Sequence, residues 1–275
     1  VLSDKRIAVV VPAFNEERWI EQTVRSMPSF VDQIVVVDDA SSDRTSSWAR
    51  RAGSARLTVL RHSDNRGVGA AIITGYRHAS ACADIIAVMA GDGQMHPDDL
   101  AAVLGPLLHG EADYVKGERL SHPHVLRLMP LHRLAGTAAL AWLTAKAAGL
   151  PSLHDSQCGY TAITVDAISR IELDGLWPRY GYPNDLIGAL ARAGLRIAEV
   201  PVRPVYRGEA SGLGARHLAV IGWLLARVAA RRLSASGTRP SPRGAQVRPT
   251  APRTPLAPPL ARPRAEPAAS PEAPA

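Results

Sequence analysis

The chain is poor in cysteine. Only Cys82 and Cys158 occur in 275 residues, which excludes a disulfide framework or a cysteine-rich metal site and favours a reducing compartment. The fingerprints of the common nucleotide folds are missing too. No G-x-G-x-x-G follows the first apolar run, where a dinucleotide fold brings backbone up to a pyrophosphate, and no G-x-x-x-x-G-K-[ST] occurs. The N-terminal stretch "VLSDKRIAVVVPAFNEE" has no long apolar run before a small-residue cleavage site, so no signal peptide is expected. The segment "HLAVIGWLLARVAARRL" is apolar for nine residues only, Leu218 to Ala226, against about 20 for a membrane span. Trp223 with Arg227, Arg231 and Arg232 behind it suits an amphipathic helix lying in an anionic interface, and equally a helix closing a soluble core.

Basic charge is present but unevenly spread. Of the net +7, the stretch from Ser236 to Ala275 holds +4, from six Arg and two Glu, leaving +3 for the rest. A body so weakly basic gives no reason to expect nucleic acid. The same stretch holds half of the 22 prolines and no aromatic residue. It cannot bury enough apolar surface to offset its ordering entropy, so disorder is expected there. The boundaries read as a folded domain over 1–213, an amphipathic helix over 214–235, and a Pro/Arg/Ala-rich tail over 236–275.

The folded part alternates β-branched apolar runs with helical periodicity. "RIAVVVPAF", "QIVVVDDAS", "RLTVLRHS" and "DIIAVMAGD" read as buried strands. "NEERWIEQTVRSM", "DRTSSWARRAG", "GVGAAIITGYRHASA" and "PDDLAAVLGPLL" read as the helices between and after them. The pattern predicts an α/β fold of three layers, α/β/α, Rossmann-like, with a mixed but mostly parallel sheet. Ligands bind beyond the carboxyl ends of such strands. Three polar clusters fall there: "PAFNEE", "DDASSD" and "GDGQ".

In "VMAGDGQMHPDDL" the alternation of an extended segment puts Asp92 and Gln94 on one face. A hard divalent cation, Mg²⁺ or Mn²⁺, takes one or two oxygen ligands from protein and the rest from phosphate and water. Asp92 and Gln94 therefore read either as part of an ordinary turn rich in Gly and Asp or, under the family resemblance that the ordered motifs carry, as the metal ligands of the metal–diphosphate site it implies.

The motifs "VVVPAFNEE", "VVVDDASSDRT", "NRGVGAA", "GDGQMHP", "YVKGER", "DSQCGY" and "GYPNDL" follow in this order. Together they resemble the inverting family 2 glycosyltransferases of GT-A fold, in the dolichol-phosphate mannosyltransferase and polyprenyl-phosphate glycosyltransferase branch. The resemblance spans roughly Arg6 to Arg207. It implies transfer of a hexose from a UDP- or GDP-sugar to a polyprenyl phosphate, in the cytoplasm or peripherally on the cytoplasmic face of a membrane. Two alternatives stand beside it: transfer to a hydroxyl of a small molecule or saccharide, and a sugar-nucleotide-binding relative weakened in catalysis. One departure is visible. Similar enzymes carry D-x-D-x-Q where this chain has Ala90, Asp92 and Gln94.

By the same resemblance Pro12, Ala13, Asn15 and Glu16 lie against the base and ribose. Asp39 accepts from a ring N–H of the base, and Asp38 braces the loop. Glu16 also suits a helix N-terminal charge. Arg207 lies near the donor diphosphate. Arg119 and Arg133 match arginines that hold an acceptor phosphate, a task suited to guanidinium forks. Asp155, Gln157 and Asp185 complete the acceptor half, with Asp92, Asp155 and Asp185 as the catalytic carboxylates. Asp185 is the base if the acceptor is a hydroxyl, and an orienting group if it is an already ionised phosphate.

Overall fold

The computed structural model describes residues 2–123, 125–205, 215–235 and 248–249. Eight strands form one sheet: β1 (Ile7–Ala13), β2 (Gln33–Asp38), β3 (Leu57–Arg61), β4 (Ile85–Val88), β5 (Tyr114–Glu118), β6 (Thr161–Thr164), β7 (Ile197–Pro201) and β8 (Arg248–Pro249). The helices are α1 (Ile20–Arg25), α2 (Thr45–Arg51), α3 (Val68–Ala79), α4 (Leu100–Leu108), α5 (Val125–Leu128), α6 (Leu131–Ala148), α7 (Val165–Ser169), α8 (Tyr182–Arg192) and α9 (Ala215–Ala235).

Strand order is β3-β2-β1-β4-β6-β5-β7-β8. The first four strands are mutually parallel, and β6 runs antiparallel to both β4 and β5. The fold is therefore the three-layer α/β/α arrangement expected, with a mixed, largely parallel sheet. Alternation along each strand feeds two cores. Ile7, Val9 and Val11 face the layer holding Ile20, Val24, Ala49, Leu100 and Leu104. Ala8 and Val10 face the layer holding Ala71, Tyr76, Ala145, Ile168, Leu186 and Leu190. The chain leaves β1 towards β2 and β3, then returns to place β4 on the other side of β1. That reversal opens a crevice at the carboxyl ends of β1 and β4.

The segment that suited either an interface or the core packs one face inward and leaves Leu218, Trp223 and Leu233 exposed. Ile221, Leu224 and Val228 of α9 are buried. Two glycines admit it: a Cβ at Gly181 would lie 2.5 Å from Leu224 Cδ1, and one at Gly188 would lie 2.6 Å from Val228 Cγ1. No helix among the described residues is long and apolar enough to cross a membrane. The expected disordered tail lies outside the described residues, except that Arg248 and Pro249 pair in parallel with Ala198 and Glu199.

Candidate active site

Hydrogen bonds staple the three polar clusters to one another. The backbone N–H groups of Asn15 and Glu16 donate to Ser41 Oγ at 2.9 Å and Thr45 Oγ1 at 2.8 Å. Asn15 Oδ1 accepts from the Ser42 N–H at 2.9 Å. The Asp39 N–H donates to the Ala13 carbonyl, and the Gly91 N–H to that of Pro12, at 2.9 and 3.1 Å. Asn15 and Ala40 hold left-handed φ values of +57° and +63°. That conformation is routine for Asn and costly for Ala. The loop after β1 is thus gripped from both sides by the loops after β2 and β4.

Asp38 and Asp39 divide their work. Asp38 is buried. It accepts from the Ser41 N–H, Ser46 Oγ and Arg61 Nη1, and Arg61 also donates to the Ser41 carbonyl. Burial alone pushes its carboxyl up, but the serine donors and the Arg61 charge hold it below the ordinary range. Asp39 accepts from the Arg66 N–H at 2.9 Å and the Gly67 N–H at 2.7 Å, and pairs with His62 Nδ1 at 2.7 Å. Three donors leave room for about one more at a carboxylate. His62 was not singled out from the sequence. It stands just past β3, and only the β2–β3 register brings it to Asp39. Phe14, half exposed beside Asn15, was also passed over because it ends an apolar run.

The glycines of "NRGVGAA" serve a close approach. A Cβ at Gly67 would lie 2.7 Å from the Pro178 carbonyl, and one at Gly69 2.7 Å from that of Trp177. The start of α3 therefore packs on the 177–179 segment, with the Ala70 N–H donating to the Pro178 carbonyl at 3.0 Å.

Asp92 and Gln94 do not lie on one face of an extended segment. Strand β4 ends at Val88, and Gly93 takes φ +68°. Asp92 Oδ1 then captures the Gln94 N–H at 2.9 Å. The side chain closes a turn that the glycine makes cheap. At Ala90, where similar enzymes carry a carboxylate, the backbone N–H meets Met95 Sδ at 3.2 Å. Among the described residues no group of three or more His, Cys, Asp or Glu is placed to hold a metal ion. One carboxylate in a turn at the crevice does not suit a resident structural ion. It fits a hard cation that arrives with a diphosphate.

On the acceptor side, Arg119 is forked on Asp155. Its Nε lies 2.7 Å from Oδ2 and its Nη2 3.2 Å from Oδ1. Asp155 is fully buried, and its Oδ1 also accepts from the Gln157 and Cys158 N–H groups at 2.9 and 3.0 Å. Burial pushes this carboxyl up, but the Arg119 guanidinium and the other donors outweigh it and hold it below the ordinary range. A carboxylate so occupied is a brace rather than a base. Gln157 Nε2 donates to Asn184 Oδ1 at 3.1 Å, next to Asp185. Asp185 is fully buried at the start of α8. Its Oδ2 accepts from the Trp177 N–H at 2.8 Å and lies 3.5 Å from Arg227. Its Oδ1 has no hydrogen-bond partner among the described residues. Arg133 is half-buried on the first turn of α6. Arg207 lies outside the described residues.

Comparison with known proteins follows from this geometry. The model of glycosyl transferase family 2 matches residues 8–171. A Methanocaldococcus jannaschii protein without assigned activity is 36% identical over 74% of this chain and 84% of its own length. The UDP-N-acetylglucosamine–dolichyl-phosphate N-acetylglucosaminyltransferase of Methanococcus voltae is 30% identical over 74% and 88%. The crystal structure of Mycobacterium tuberculosis glucosyl-3-phosphoglycerate synthase superposes with a TM-score of 0.61 at 25% identity, covering 87% of this chain and 83% of that one. The same enzyme with Mn²⁺, UDP-glucose and phosphoglyceric acid superposes at 0.58, again at 25% identity, over 87% and 82%.

These structures correct the branch read from the motifs. The motifs pointed to the polyprenyl-phosphate enzymes, with a lipid phosphate as acceptor and membrane contact. The matching fold belongs to an enzyme whose complex holds phosphoglyceric acid, a small soluble molecule. In this chain the Arg119 fork is turned on Asp155, and Ile221, Leu224 and Val228 of α9 face the core while Leu218, Trp223 and Leu233 are exposed.

Proposed function

The chain belongs to glycosyl transferase family 2, and on that premise we propose that it moves a hexose from a UDP-sugar to a hydroxyl of a small, phosphate- or carboxylate-bearing acceptor, with inversion. The likeness to glucosyl-3-phosphoglycerate synthase across 87% of the chain carries this reading. Asp92 and Gln94 would hold Mn²⁺ or Mg²⁺ together with the donor diphosphate, and the ion would supply charge neutralisation at the leaving group.

The chain's own residues do the rest. Pro12, Ala13, Asn15 and Glu16 form the floor for base and ribose, kept rigid by their bonds to Ser41, Ser42 and Thr45. Asp39, held by His62 and two backbone donors, offers its remaining lone pair to the uracil N–H. Arg207 is assigned to the diphosphate. The acceptor oxygen bonds to the anomeric carbon as the bond from that carbon to UDP breaks. The hydroxyl proton passes to Asp185, whose Oδ1 is the carboxylate oxygen without a donor among the described residues. Asp155 and Gln157 fix the wall of the acceptor pocket, and the Arg119–Asp155 pair holds its edge.

A panel of UDP-sugars with Mn²⁺ and small phosphorylated hydroxy acids, read as UDP release and product mass, tests this reading. Transfer to at least one such acceptor is expected. Asp185→Asn should lower kcat about 100-fold or more, the range of a lost general base, and leave UDP affinity within about twofold. An Asp185→Asn enzyme with wild-type turnover contradicts the assignment.

A further inference from the structure

Behind α8 and α9, on the side of Asp185 marked by Arg227, a cleft of about 520 Å³ is lined by Glu172, Arg192, Ala230, Arg231 and Ser234. Two arginines, Arg192 and Arg231, line it, and Arg227 stands beside Arg231. Arg227 and Arg231 both donate to the Gly175 carbonyl, which fixes their guanidiniums side by side. Arg192, from the last turn of α8, faces them. Its Nη1 is buried and has no hydrogen-bond partner among the described residues. A buried charged donor without an acceptor is a costly arrangement. Burial and the charge of Arg231, with a smaller push from Arg227, hold the Arg192 guanidinium below its usual value against the opposing pull of the Asp185 carboxylate. Glu172, exposed on the same lining, makes no ion pair with Arg192 or Arg231 among the described residues. The sequence reading had used Arg227 and Arg231 only as candidates for a membrane face.

We propose that this cleft binds a phosphate dianion, free or carried by a small soluble molecule, with Arg192 and Arg231 as its principal ligands. The unpaired Arg192 Nη1 and the fixed Arg231 offer the forked donors that phosphate oxygens take. Arg227 ion-pairs with Asp185 at 3.5 Å, so the site lies one ion pair away from the candidate base. The proposal rests on the α8–α9 cleft alone and stands apart from the acceptor assignment.

Equilibrium dialysis of labelled inorganic phosphate at constant ionic strength tests it, with and without saturating UDP and Mg²⁺. One equivalent retained in both arms is expected, since the cleft is not the donor site. Arg192→Gln and Arg231→Gln should each weaken retention about tenfold or more, the loss of one charge-assisted bond. Arg192→Lys should restore it in part. Glu172→Gln should tighten it by removing a like charge. In phosphate-free buffer Arg192→Gln should also raise the thermal midpoint, because a buried Nη1 donor without an acceptor among the described residues is gone. Ribose 5-phosphate in place of phosphate identifies the source: tighter binding assigns a phosphorylated metabolite, equal binding the free anion. No saturable retention by the wild type overturns the proposal. So does retention that Arg192→Gln leaves unchanged in a variant with a native circular dichroism spectrum. If the Arg192 variants do not fold, the wild-type stoichiometry and the Glu172→Gln comparison decide.

Discussion

Asp92 is asked to do alone what two carboxylates do in similar enzymes, because Ala90 occupies the other place. A single protein carboxylate gives a cation little reason to bind before the diphosphate supplies more oxygens. Mn²⁺ affinity should therefore be weak for the free protein and at least tenfold tighter with UDP present, as isothermal titration would show. Asp92→Ala should remove that UDP-dependent increment and nearly all transfer, whereas Ala90→Asp should keep transfer and strengthen metal binding without UDP. Equal Mn²⁺ affinity with and without UDP contradicts this account of the site. At this scale the sequence was legible where chemistry sits at a strand end, as for Asp38 and Asp39. It was silent on His62, whose contact with Asp39 depends on the pairing of β2 with β3. Arg119 showed the other limit. Its motif did not show the fork on Asp155, a carboxylate 36 residues away.

Among the elements, strands and crossover helices were readable because alternation and helical spacing are local properties. Two features were not. The turn at Gly91–Gly93 looked extended from its polar alternation, and the bond from Gln94 to Asp92 bends it. The segment of α9 fitted both an interface and a core, since a nine-residue apolar run with one Trp satisfies each. The packing of its inner face depends on residues elsewhere in the chain, Gly181 and Gly188, which leave room for Leu224 and Val228. Gly188→Ala should destabilise the protein by about 1–3 kcal/mol, the usual cost of overpacking. Val228→Ala in the same chain should recover part of that loss, giving a non-additive double-mutant cycle in urea denaturation. Strict additivity would mean that the two residues do not touch.

Across the whole molecule, the buried Asp38 and Asp155 and the part-buried Asp113 tie distant segments together. Asp38, Asp113 and Asp155 are each held below the ordinary value of 3.8, where burial alone would raise them, by serine, backbone and arginine donors. A carboxyl with a depressed folded value contributes stability that is fully present above its unfolded value and is lost as pH falls through the folded one. The thermal midpoint should therefore hold from pH 7 to about 5 and fall below about 4. Arg119→Met should lower the midpoint at pH 7, because Asp155 is left buried without its cation. A midpoint that rises on acidification would reverse the assigned signs.

The fold and the donor side follow from local pattern, but the acceptor is a property of the assembled pocket, and the ordered motifs misassigned it. The partition of product therefore bears most directly on the central claim. Labelled UDP-glucose and Mn²⁺ would be incubated with the protein, an equimolar mixture of phosphoglyceric acid and polyprenyl phosphate would be supplied, and the label would be extracted between butanol and water. The account predicts that new product stays in the water phase, depends on the soluble acceptor, and disappears with Asp185→Asn. Label accumulating in the organic phase, dependent on polyprenyl phosphate and insensitive to Asp185→Asn, would contradict it.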